Sequence, residues 1–511
     1  MALPDWLDPV YEAEEMRAVD AYAIEQRGVP SLDLMERAAT GLAAAVAARA
    51  LAGLPIRVVV GKGNNGGDGL AAARILREDG REVDVLAAAD LSELQGDAKV
   101  NLDRLPGTPP EPFDPAKLDG SGAIVDAMLG TGFEGKPREP IAGAIAAVNR
   151  HDDVPVIACD VPSGVNASTG EVEGEAVRAG ATATFHASKV GLHVAPGKWH
   201  AGEVTVVDIG IPEGAPEPAA AGLIARRVID LVPPRPIDGS KFKSGVVVIA
   251  GGSRGLTGAP TMVALASQRT GAGYVQVAVP ASAEQALELR LLEAMTRGCP
   301  DSDEGTHTPA GAETVLSMAE RAGAVVLGPG IGKGDDPAGF ARRVADGLEL
   351  PLLIDADGLN ALVGAVETLK ERSAPTVLTP HEGELGRLLK VESSEVAARR
   401  LHHAREAAER SGAIVVLKGD DTIVARPGGP VAISPGATPA LATAGTGDVL
   451  SGVIGALLAK GVEPFAAAAA GVLAHAYAGK HAAVRYGADH VVAGDVIDAI
   501  PAAFRDGDPT R

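Results

Sequence analysis

The segment GKGNNGGDGL, residues 61–70, follows the apolar run IRVVV (56–60) and precedes a pattern that predicts a helix over about 70–79. Three of its glycines match G-x-G-x-x-G, which between a strand and a helix is typical of a Rossmann-like dinucleotide-binding fold. Asp68 does not suit a cofactor loop, because a carboxylate beside a pyrophosphate costs several kcal/mol at an effective dielectric of about 20. The segment therefore predicts the fold but leaves its ligand open.

The residues on either side of this segment alternate between helical patterns and short aliphatic runs. A helical pattern covers about 13–40 and another lies near 140–149. The further runs are VDVL (83–86), GAIVDAMLG (122–130), VPVIACDVPSG (154–164), ATATFHAS (181–188) and GEVTVVDIG (202–210). Such alternation predicts an α/β, doubly wound parallel sheet whose ligands bind where the strands end.

The second half of the chain repeats this alternation with different loops. The stretch IPEGAPEPAAAG (211–222) has no periodic pattern, and its Pro, Ala and Gly content is typical of a linker. We therefore predict a first domain over 1–215, a linker over 216–224 and a second α/β domain over 225–511.

The composition bounds the function. The 511 residues carry a formal charge of −21, which argues against a nucleic-acid or anionic-membrane surface. Two cysteines cannot form a disulfide framework, and the N-terminal segment lacks the pattern of a signal peptide. We expect a cytoplasmic protein without nucleic-acid or membrane partners.

The segment ATAGTGDVLSG (442–452) predicts an anion-binding turn in the second domain. Gly445 and Gly447 would expose backbone N–H groups at a helix N-terminus, where a transferring phosphoryl group is stabilised. Asp448 would stand at the mouth of this turn as a general base. A helix-capping role for Asp448 is the alternative for this motif taken alone.

Two further loops follow predicted strands in the same half. KGDDT (418–422) offers Lys418 to phosphates and Thr422 to a nucleotide edge, and TPHEGEL places His381 beside two glutamates. No G-x-x-x-x-G-K-[ST] motif occurs in the sequence, which argues against a P-loop NTPase. The loops together favour phosphoryl chemistry by another architecture.

Residues 225 to about 500 resemble the ribokinase-like fold and, more narrowly, the ADP/ATP-dependent NAD(P)H-hydrate dehydratase family. The resemblance rests on six motifs in the family's order, which cover nearly the whole half: GGSRGLTGAPTMVALASQRTGAGYV, GPGIG, DADGLNAL, LTPHEGEL, KGDDTIVA and LATAGTGDVLSGVIGALLAKG. One position departs from the family, which usually has proline where Glu382 stands.

The resemblance implies residue roles and a Mg²⁺ requirement for the second domain. Asp448 is similar to the family's catalytic base and also contacts the hydrate. The positions similar to the ADP site, within 438–447 and 418–422, are Lys418, Gly419, Asp420, Asp421, Thr422, Ala444, Gly445, Thr446 and Gly447. The positions similar to the hydrate site are Ala272, Gly332, His381, Glu382, Gly383, Glu384, Leu385, Gly386 and Arg387.

Residues 1 to about 215 resemble the NAD(P)H-hydrate epimerase family. The motifs are GKGNNGGDGL, VDAMLGTGFEGKPREP, ACDVPSGVNASTGE and ATATFHASKVGLHVAPGKWHAGEVTVVDIGIP. The fusion of both families in one chain is the arrangement of the bacterial bifunctional NAD(P)H-hydrate repair family.

This second resemblance implies a potassium site and a substrate site in the first domain. The potassium ligands are Asn65, Asp126 and Ser163, whose oxygens suit a hard cation. Asp160 is similar to the substrate-contacting acid, with Lys189 as its basic partner; without the resemblance, a turn before Pro162 explains Asp160 equally well. The substrate-binding positions are Asn64, Asn65, Gly66, Gly67, Asp68, Gly130, Thr131, Gly132, Phe133, Glu134, Gly135, Lys136 and Asp160.

The two resemblances together imply nicotinamide-nucleotide repair by an enzyme that binds small-molecule nucleotide substrates and forms a homo-oligomer. The first domain would interconvert the R and S forms of NAD(P)H hydrate, and the second would dehydrate the S form at the expense of ADP. The alternative is a ribokinase-like kinase of a vitamin precursor or sugar with an N-terminal binding domain. That kinase would share the G-x-G-D motif but release a stable phosphorylated product.

Overall fold

A computed structural model describes residues 3–510 of the 511-residue chain. The chain forms two compact units, one from residues 9–222 and the other from residues 3–8 together with the chain from residue 223 onward. Both units are α/β, which confirms the predicted fold class. Within residues 3–510, no helix is both long and apolar enough to cross a membrane.

The first unit is built on a seven-stranded sheet. After β1 (Leu7–Val10), which belongs to the other sheet, its strands are β2 (Ile56–Val60), β3 (Val83–Ala87), β4 (Glu111–Pro112), β5 (Ala123–Ala127), β6 (Val156–Cys159), β7 (Ala181–Phe185) and β8 (Glu203–Val207). The spatial order is β4-β3-β2-β5-β6-β7-β8, and neighbouring strands pair in parallel. The order reverses between β2 and β5, where ligands of such sheets bind.

Helices of the first unit cover both faces of this sheet. They are α1 (Ala13–Ala21), α2 (Ser31–Ala47), α3 (Asn64–Glu78), α4 (Gly96–Arg104), α5 (Ile141–Val148) and α6 (Lys198–Ala201). Apolar side chains of α2 and α3 pack on β2, β3 and β5, while α5 contributes to a second apolar cluster. The continuous helical pattern predicted over 13–40 is wrong in one respect, since a π-helical turn (Tyr22–Gln26) and Pro30 separate α1 from α2.

The second unit is built on an eleven-stranded sheet. Its later strands are β9 (Ala221–Ile224), β10 (Val246–Ala250), β11 (Tyr274–Pro280), β12 (Met295–Cys299), β13 (Ala324–Leu327), β14 (Leu352–Ile354), β15 (Thr376–Leu378), β16 (Ile414–Leu417), β17 (Ile423–Ala425) and β18 (Val431–Ile433). The order is β1-β9-β18-β17-β16-β15-β14-β13-β10-β11-β12. From β12 to β16 the pairing is parallel, and β17 pairs antiparallel with both β16 and β18.

The helices of the second unit follow the same alternation. They are α7 (Gly258–Arg269), α8 (Ala281–Glu288), α9 (Ala312–Ala319), α10 (Asp335–Gly347), α11 (Asp357–Ala361), α12 (Glu382–Leu389), α13 (Ser393–Ala398), α14 (Arg400–Ser411), α15 (Thr446–Ala459), α16 (Pro464–Tyr486) and α17 (Ala493–Asp506). The Ala-rich α16 is buried along most of its length and packs with α15 and α17 in the main core.

The connection between the units differs from a simple linker. β9 begins at Ala221, inside the stretch predicted as linker, and pairs with β1 from the start of the chain. Trp6 is buried against Phe465 of α16, with ring centroids 5.3 Å apart. The first residues therefore belong to the second unit, a placement that their local sequence pattern did not indicate.

Candidate active sites

The segment that predicts the fold of the first unit is mostly helix. α3 begins at Asn64, six residues before the predicted start, so the second half of GKGNNGGDGL forms its first turns. A side chain at Gly61 would lie 2.1 Å from the Met128 carbonyl oxygen, and one at Gly66 would lie 2.1 Å from the Gly61 oxygen. These glycines let the β2–α3 turn pack against the end of β5, which is why the helix starts so close to the strand.

The three predicted potassium ligands converge on the peptide of Leu129. The Asn65 side-chain amide donates to the Leu129 oxygen at 2.9 Å, and the Leu129 N–H donates to the Ser163 hydroxyl at 2.9 Å. The hydroxyl in turn donates to Asp126 at 2.5 Å, and the Ser163 N–H donates to the same carboxylate at 2.7 Å. The arrangement brings amide, hydroxyl and carboxylate groups together at the carboxyl ends of β2, β5 and β6.

A buried ion pair lies beside this cluster. The Lys189 ammonium is 2.6 Å from the Asp160 carboxylate, and the two residues are only 1% and 7% exposed. Lys189 also donates to the Thr184 hydroxyl and to the Phe185 carbonyl, both at 2.9 Å. Asp160 further accepts from Thr131 at 2.8 Å and adopts φ 64°, a left-handed conformation that is rare outside glycine.

Electrostatics separate the acids of this site. Burial alone would raise the pKa of Asp160, but the charge and hydrogen bond of Lys189 outweigh it and lower that pKa below its usual value. Burial, together with the charges of Asp160 and Asp20, raises the pKa of Asp68 well above its usual range. Burial also raises the pKa of Asp126 to about 6 against the hydrogen bonds from Ser163. The site thus holds an ionised Asp160 next to Asp68, which favours its protonated form.

The remaining predicted residues of the first site differ in their exposure to solvent. Asn64 is exposed at the start of α3, whereas Gly66, Gly67 and Asp68 are buried within the helix. The loop after β5 carries Gly130, Thr131, Gly132, Phe133, Glu134, Gly135 and Lys136, and Gly132, Glu134 and Lys136 are exposed. Sequence reasoning missed Thr184 and Asp20. Thr184 lies in the predicted strand ATATFHAS, whose pattern indicates no functional role, and no local pattern indicates a role for Asp20.

In the second unit, a glycine turn precedes α15 as the sequence predicts. Gly445 caps the helix with φ 92°, and Asp448 is its third residue. A side chain at Gly445 would lie 2.5 Å from the Met262 sulfur, so the turn needs glycine for both space and conformation. The first N–H groups of an α-helix have no carbonyl partner within the helix, and the positive end of the helix dipole lies there. The turn can therefore bind an anion.

Lys418 faces this turn and is held by carboxylates. Its ammonium is 3.0 Å from Asp355 and 3.6 Å from Glu384, and a methyl group added to Gly447 would lie 3.6 Å from it. Ser451, one turn into α15, donates to the other Asp355 oxygen at 2.7 Å. Burial lowers the pKa of Lys418, but these carboxylates outweigh it and raise that pKa. Asp355 and Ser451 lie in quoted motifs but were not among the predicted site residues.

Asp448 is left without a comparable partner in this arrangement. Burial and the nearby Asp355 carboxylate raise its pKa to about 7, against the opposing charge of Lys418. A general base works best when its pKa lies near the working pH. The geometry and the electrostatics of Asp448 therefore suit proton abstraction beside a bound phosphate.

The predicted hydrate-binding residues form two connected groups. The imidazole Nδ1 of His381 caps α12 by accepting from the Gly383 backbone N–H at 2.9 Å. The backbone N–H of His381 donates to the Glu384 carboxylate at 2.9 Å. Separately, the Gly332 N–H donates to Asp357 at 3.1 Å. Arg387 reaches the same region through Asn360, to which its guanidinium donates at 2.9 Å. The loops after β13, β14 and β15 thus meet at one edge of the sheet.

Glu382, the position that departs from the family, has a defined partner. Its carboxylate accepts from Arg400 at 2.5 Å, and the Arg400 guanidinium also pairs with Asp421 at 3.0 Å and donates to the Lys418 carbonyl at 3.2 Å. Arg400 is 2% exposed. The glutamate is therefore accommodated by an ion-pair network that joins the α12 loop to KGDDT. Sequence reasoning missed Arg400.

Three predicted hydrate contacts of the second unit have less direct support in the structure. Ala272 precedes β11, at the sheet edge opposite to the carboxyl ends where the loops above meet, and its role as a hydrate contact stays a prediction. Leu385 is fully buried in α12, and a side chain at Gly386 would lie 2.8 Å from the Val391 oxygen. Their roles in hydrate binding likewise stay predictions.

The predicted ADP-binding loops lie beside Lys418. Gly419 and Thr422 exchange hydrogen bonds within KGDDT, and the Thr422 hydroxyl donates to the Gly419 oxygen at 2.7 Å. Asp420 accepts from the Ala437 N–H at 3.2 Å, which ties this loop to the segment before the glycine turn. In that turn, the Thr446 hydroxyl donates to carbonyls of the preceding loop, while Ala444 is exposed.

Comparison with known proteins gives a consistent result for both units. Residues 31–191 match the model of the YjeF-related protein N-terminus, and residues 246–502 match that of NAD(P)H-hydrate dehydratase. Proteins named bifunctional NAD(P)H-hydrate repair enzyme from Salinibacter ruber and Moorella thermoacetica are 41% and 35% identical, covering 98% and 96% of both chains in each pair. The crystal structure of the Bacillus subtilis ADP/ATP-dependent NAD(P)H-hydrate dehydratase, co-crystallised with ATP and Mg²⁺, superposes with a TM-score of 0.50 at 25% identity over 56% of this chain and 98% of that chain.

Proposed function

This chain belongs to the family of bifunctional NAD(P)H-hydrate repair enzymes, and we propose that its first unit epimerises NAD(P)H hydrate while its second unit dehydrates the S form using ADP. The observation that carries the proposal is Asp448 at the glycine turn, with a pKa of about 7 and Lys418 on the other side of the turn. That combination supplies a base and a phosphate site at one sheet edge.

In the second unit, the chemical problem is a poor leaving group. The hydrate carries a hydroxyl on C6 of the nicotinamide ring, and hydroxide departs slowly. Asp448 takes the hydroxyl proton, the oxygen attacks the β-phosphorus of ADP, and AMP leaves. The C6–O bond then breaks to release phosphate, the ring nitrogen supplies electrons, and loss of the C5 proton restores the C5–C6 double bond.

The chain's own residues provide the electrostatics of this step. Backbone N–H groups at Gly445 to Gly447 receive the phosphoryl oxygens, and Lys418 balances their charge. Asp355 and Glu384 hold the Lys418 ammonium in place. Glu384 and Asp355 are also the carboxylates suited to Mg²⁺, an ion that takes oxygen ligands and phosphates. A bound Mg²⁺ supplies further charge neutralisation on the phosphates.

In the first unit, epimerisation needs one bond at C6 to break and re-form, with proton transfers that assist both steps. The C6 carbinolamine can open and close again on either face, and Asp160 with Lys189 forms an acid–base pair for this exchange. Thr131 and Thr184 hold the carboxylate, and Thr184 also holds the ammonium. The left-handed conformation at Asp160 turns the carboxylate toward the loop after β5.

Asn65, Asp126 and Ser163 would hold the potassium ion, because amide, carboxylate and hydroxyl oxygens suit a large hard cation. A bound K⁺ supplies positive charge next to a dinucleotide in a site otherwise rich in acids. The buried Asp126 carboxylate is already hydrogen-bonded by Ser163, which holds it toward that position. A cytoplasmic location, homo-oligomer formation and the detailed residue roles belong to the same proposal.

The test is recovery of reduced nucleotide from a mixture of R and S hydrates of NADH in the presence of ADP and Mg²⁺, followed by absorbance. Complete recovery, with one AMP and one phosphate per NADH, supports both activities. Recovery of one epimer only would contradict epimerisation by the first unit. No recovery, with a stable phosphorylated vitamin precursor or sugar formed instead, would contradict the proposal as a whole.

A further inference from the structure

A cluster of histidines and glutamates lies on α14, outside both sites described above. His402, His403 and Glu406 each offer one ligand atom, and these atoms lie within 4.8 Å of one another. No other grouping of this kind occurs within residues 3–510. The residues sit on the first two turns of the helix that begins at Arg400.

His403 is the buried member of the cluster. Its side chain is 5% exposed, and its Nδ1 is 3.2 Å from a Glu406 carboxylate oxygen. Its Nε2 is buried and has no hydrogen-bond partner among the described atoms. An unsatisfied buried nitrogen is costly, and such a group in a native structure calls for a bound water or ion.

Two carboxylates converge on the imidazoles. Glu406 is 3.2 Å from His403 and 4.0 Å from His402, and Glu395 of α13 is 3.8 Å from His403 Nε2. Each carboxylate also contacts a guanidinium, Arg410 at 3.3 Å from Glu406 and Arg399 at 3.7 Å from Glu395. Outer partners of this kind orient the ligands of metal sites.

We propose that His402, His403 and Glu406 form a site for a divalent transition-metal ion such as Zn²⁺ or Co²⁺, in which His403 binds through Nδ1 while Glu395 faces its Nε2. Imidazole and carboxylate ligands select such ions over Mg²⁺ and Ca²⁺, which prefer oxygen alone. Ligand atoms around tetrahedral Zn²⁺ at about 2.1 Å stand about 3.4 Å apart. The cluster reaches that spacing through small side-chain rotations, because His402 is exposed and free to turn.

A bound ion would fix the first turns of α14 directly beside Arg400, with the other ring nitrogen of His403 facing Glu395 of α13. His403 lies one helical turn after Arg400, which holds Glu382, Asp421 and the Lys418 carbonyl. The ion would therefore brace the start of the helix that supports two site loops, without touching them. This inference concerns metal binding alone and does not depend on the proposed reaction.

The test is a titration of tag-free, metal-free, full-length protein with Co²⁺ alone, monitored by visible absorption. Tetrahedral Co²⁺ with nitrogen ligands absorbs far more strongly than octahedral Co²⁺ bound to oxygen, so the spectrum separates this cluster from a phosphate-type site. We expect one strongly absorbing Co²⁺ per chain, displaced by Zn²⁺. Replacing even an outer partner of a metal site costs 10–100-fold in affinity, so His402→Gln and Glu406→Gln should weaken binding by at least about tenfold.

The matched control is His490→Gln, which removes another exposed histidine of the same unit and should leave the titration unchanged. Because His402 is exposed, its replacement preserves the fold, which unchanged circular dichroism would verify. Zn²⁺ should raise the Tm of the wild-type protein and not that of His402→Gln. Absence of the strong band, or the same Co²⁺ affinity in His402→Gln as in the wild type, would overturn the proposal.

Discussion

Each unit contains a buried lysine–aspartate pair at the carboxyl edge of its sheet, but the pairs are used differently. In the first unit Lys189 contacts Asp160, the acid proposed to act on the substrate, at 2.6 Å. In the second unit Lys418 contacts Asp355 at 3.0 Å, and the proposed base Asp448 has no such partner. The pKa of Asp160 is lowered and that of Asp448 is raised to about 7.

This difference fits the two proposed reactions. Epimerisation returns every proton that it takes, so a preformed carboxylate and a preformed ammonium can exchange roles. Phosphoryl transfer needs a base that takes a proton from a hydroxyl near neutral pH, and an acid without a salt-bridge partner meets that need. Whether the lysine pairs with the catalytic aspartate therefore decides whether the pKa of that aspartate is lowered or raised.

The largest expected effect comes from Lys189→Met. Removing one partner of a buried ion pair costs about 3–5 kcal/mol, because the other charge stays buried alone. Denaturant unfolding should show this loss of stability, with epimerase activity lost and dehydratase activity kept. The double variant Asp160→Asn/Lys189→Met should recover much of the stability. If it is no more stable than Lys189→Met, the ion pair is not the cause.

The matching change in the second unit is Asp448→Asn. Losing a general base costs about 10²-fold or more in rate, so dehydratase kcat should fall at least that far. The stability should not fall, since no ion pair is broken. Steady-state assays with S hydrate and ADP measure the effect, and Asp489→Asn, an exposed aspartate, is the control. Turnover near that of the wild type would remove Asp448 from the mechanism.

The pH dependence of the two activities should also differ. Dehydratase activity should rise about tenfold per pH unit up to about 7 and then level off, because the Asp448 carboxylate must be ionised. The epimerase profile should show no titration of Asp160 in this pH range, because the pKa of Asp160 is below its usual value. Measuring kcat/KM from pH 5 to 9 for each activity tests this contrast. A dehydratase profile that is flat below pH 7 would contradict it.

The same shifts predict opposite effects on stability. The folded-state pKa of Asp448 lies above its unfolded value, so its contribution is full below the unfolded pKa and is lost as pH rises through about 7. The pair of Asp160 contributes above the unfolded pKa and is lost as pH falls through the lower folded value. Asp448→Asn should therefore gain stability over the wild type between pH 5 and pH 8, as measured by Tm.

The smallest effect is expected from Ser451→Ala. Ser451 donates to Asp355, and a hydrogen bond to a charged group contributes about 1.5–3 kcal/mol. A less firmly held Asp355 would shift the position of the Lys418 ammonium and the pKa of Asp448. We therefore expect about a tenfold loss of dehydratase rate. Ser267→Ala is the control, because Ser267 is equally buried but donates only to backbone carbonyls. Equal losses in both variants would show that packing, not charge, is responsible.

Much of this could be predicted from the sequence, because the loops that carry chemistry directly follow aliphatic strands. IRVVV, VIAC and IVVL end where Asn65, Asp160 and Lys418 are held, and parallel strands bring such ends together. Partners far apart in sequence could not be predicted. Arg400 contacts Asp421, and Ser451 contacts Asp355, only through the fold, and the motifs that contain three of these residues do not indicate the pairings.

Local pattern also misplaced elements where glycine is common. Glycine has a low helix propensity, so the start of α3 was predicted at Leu70 although the helix begins at Asn64. Tertiary packing outweighs that propensity, because a larger residue at Gly61 or Gly66 would clash with the backbone. Ala272 was predicted from the family resemblance alone; it lies before β11, at the N-terminal end of that strand, and its role stays a prediction.

The pairing of β1 with β9 has a consequence for how the chain is synthesised. Residues 11–220 emerge from the ribosome between these two strands, and they make up nearly all of the first unit. Domains generally fold as units during synthesis. The first unit can therefore fold before β9 and α16, which contact Leu7 and Trp6, have been synthesised. In genetic terms the first unit is an insertion within the second, and cutting the gene at residue 215 would separate β1 from its sheet.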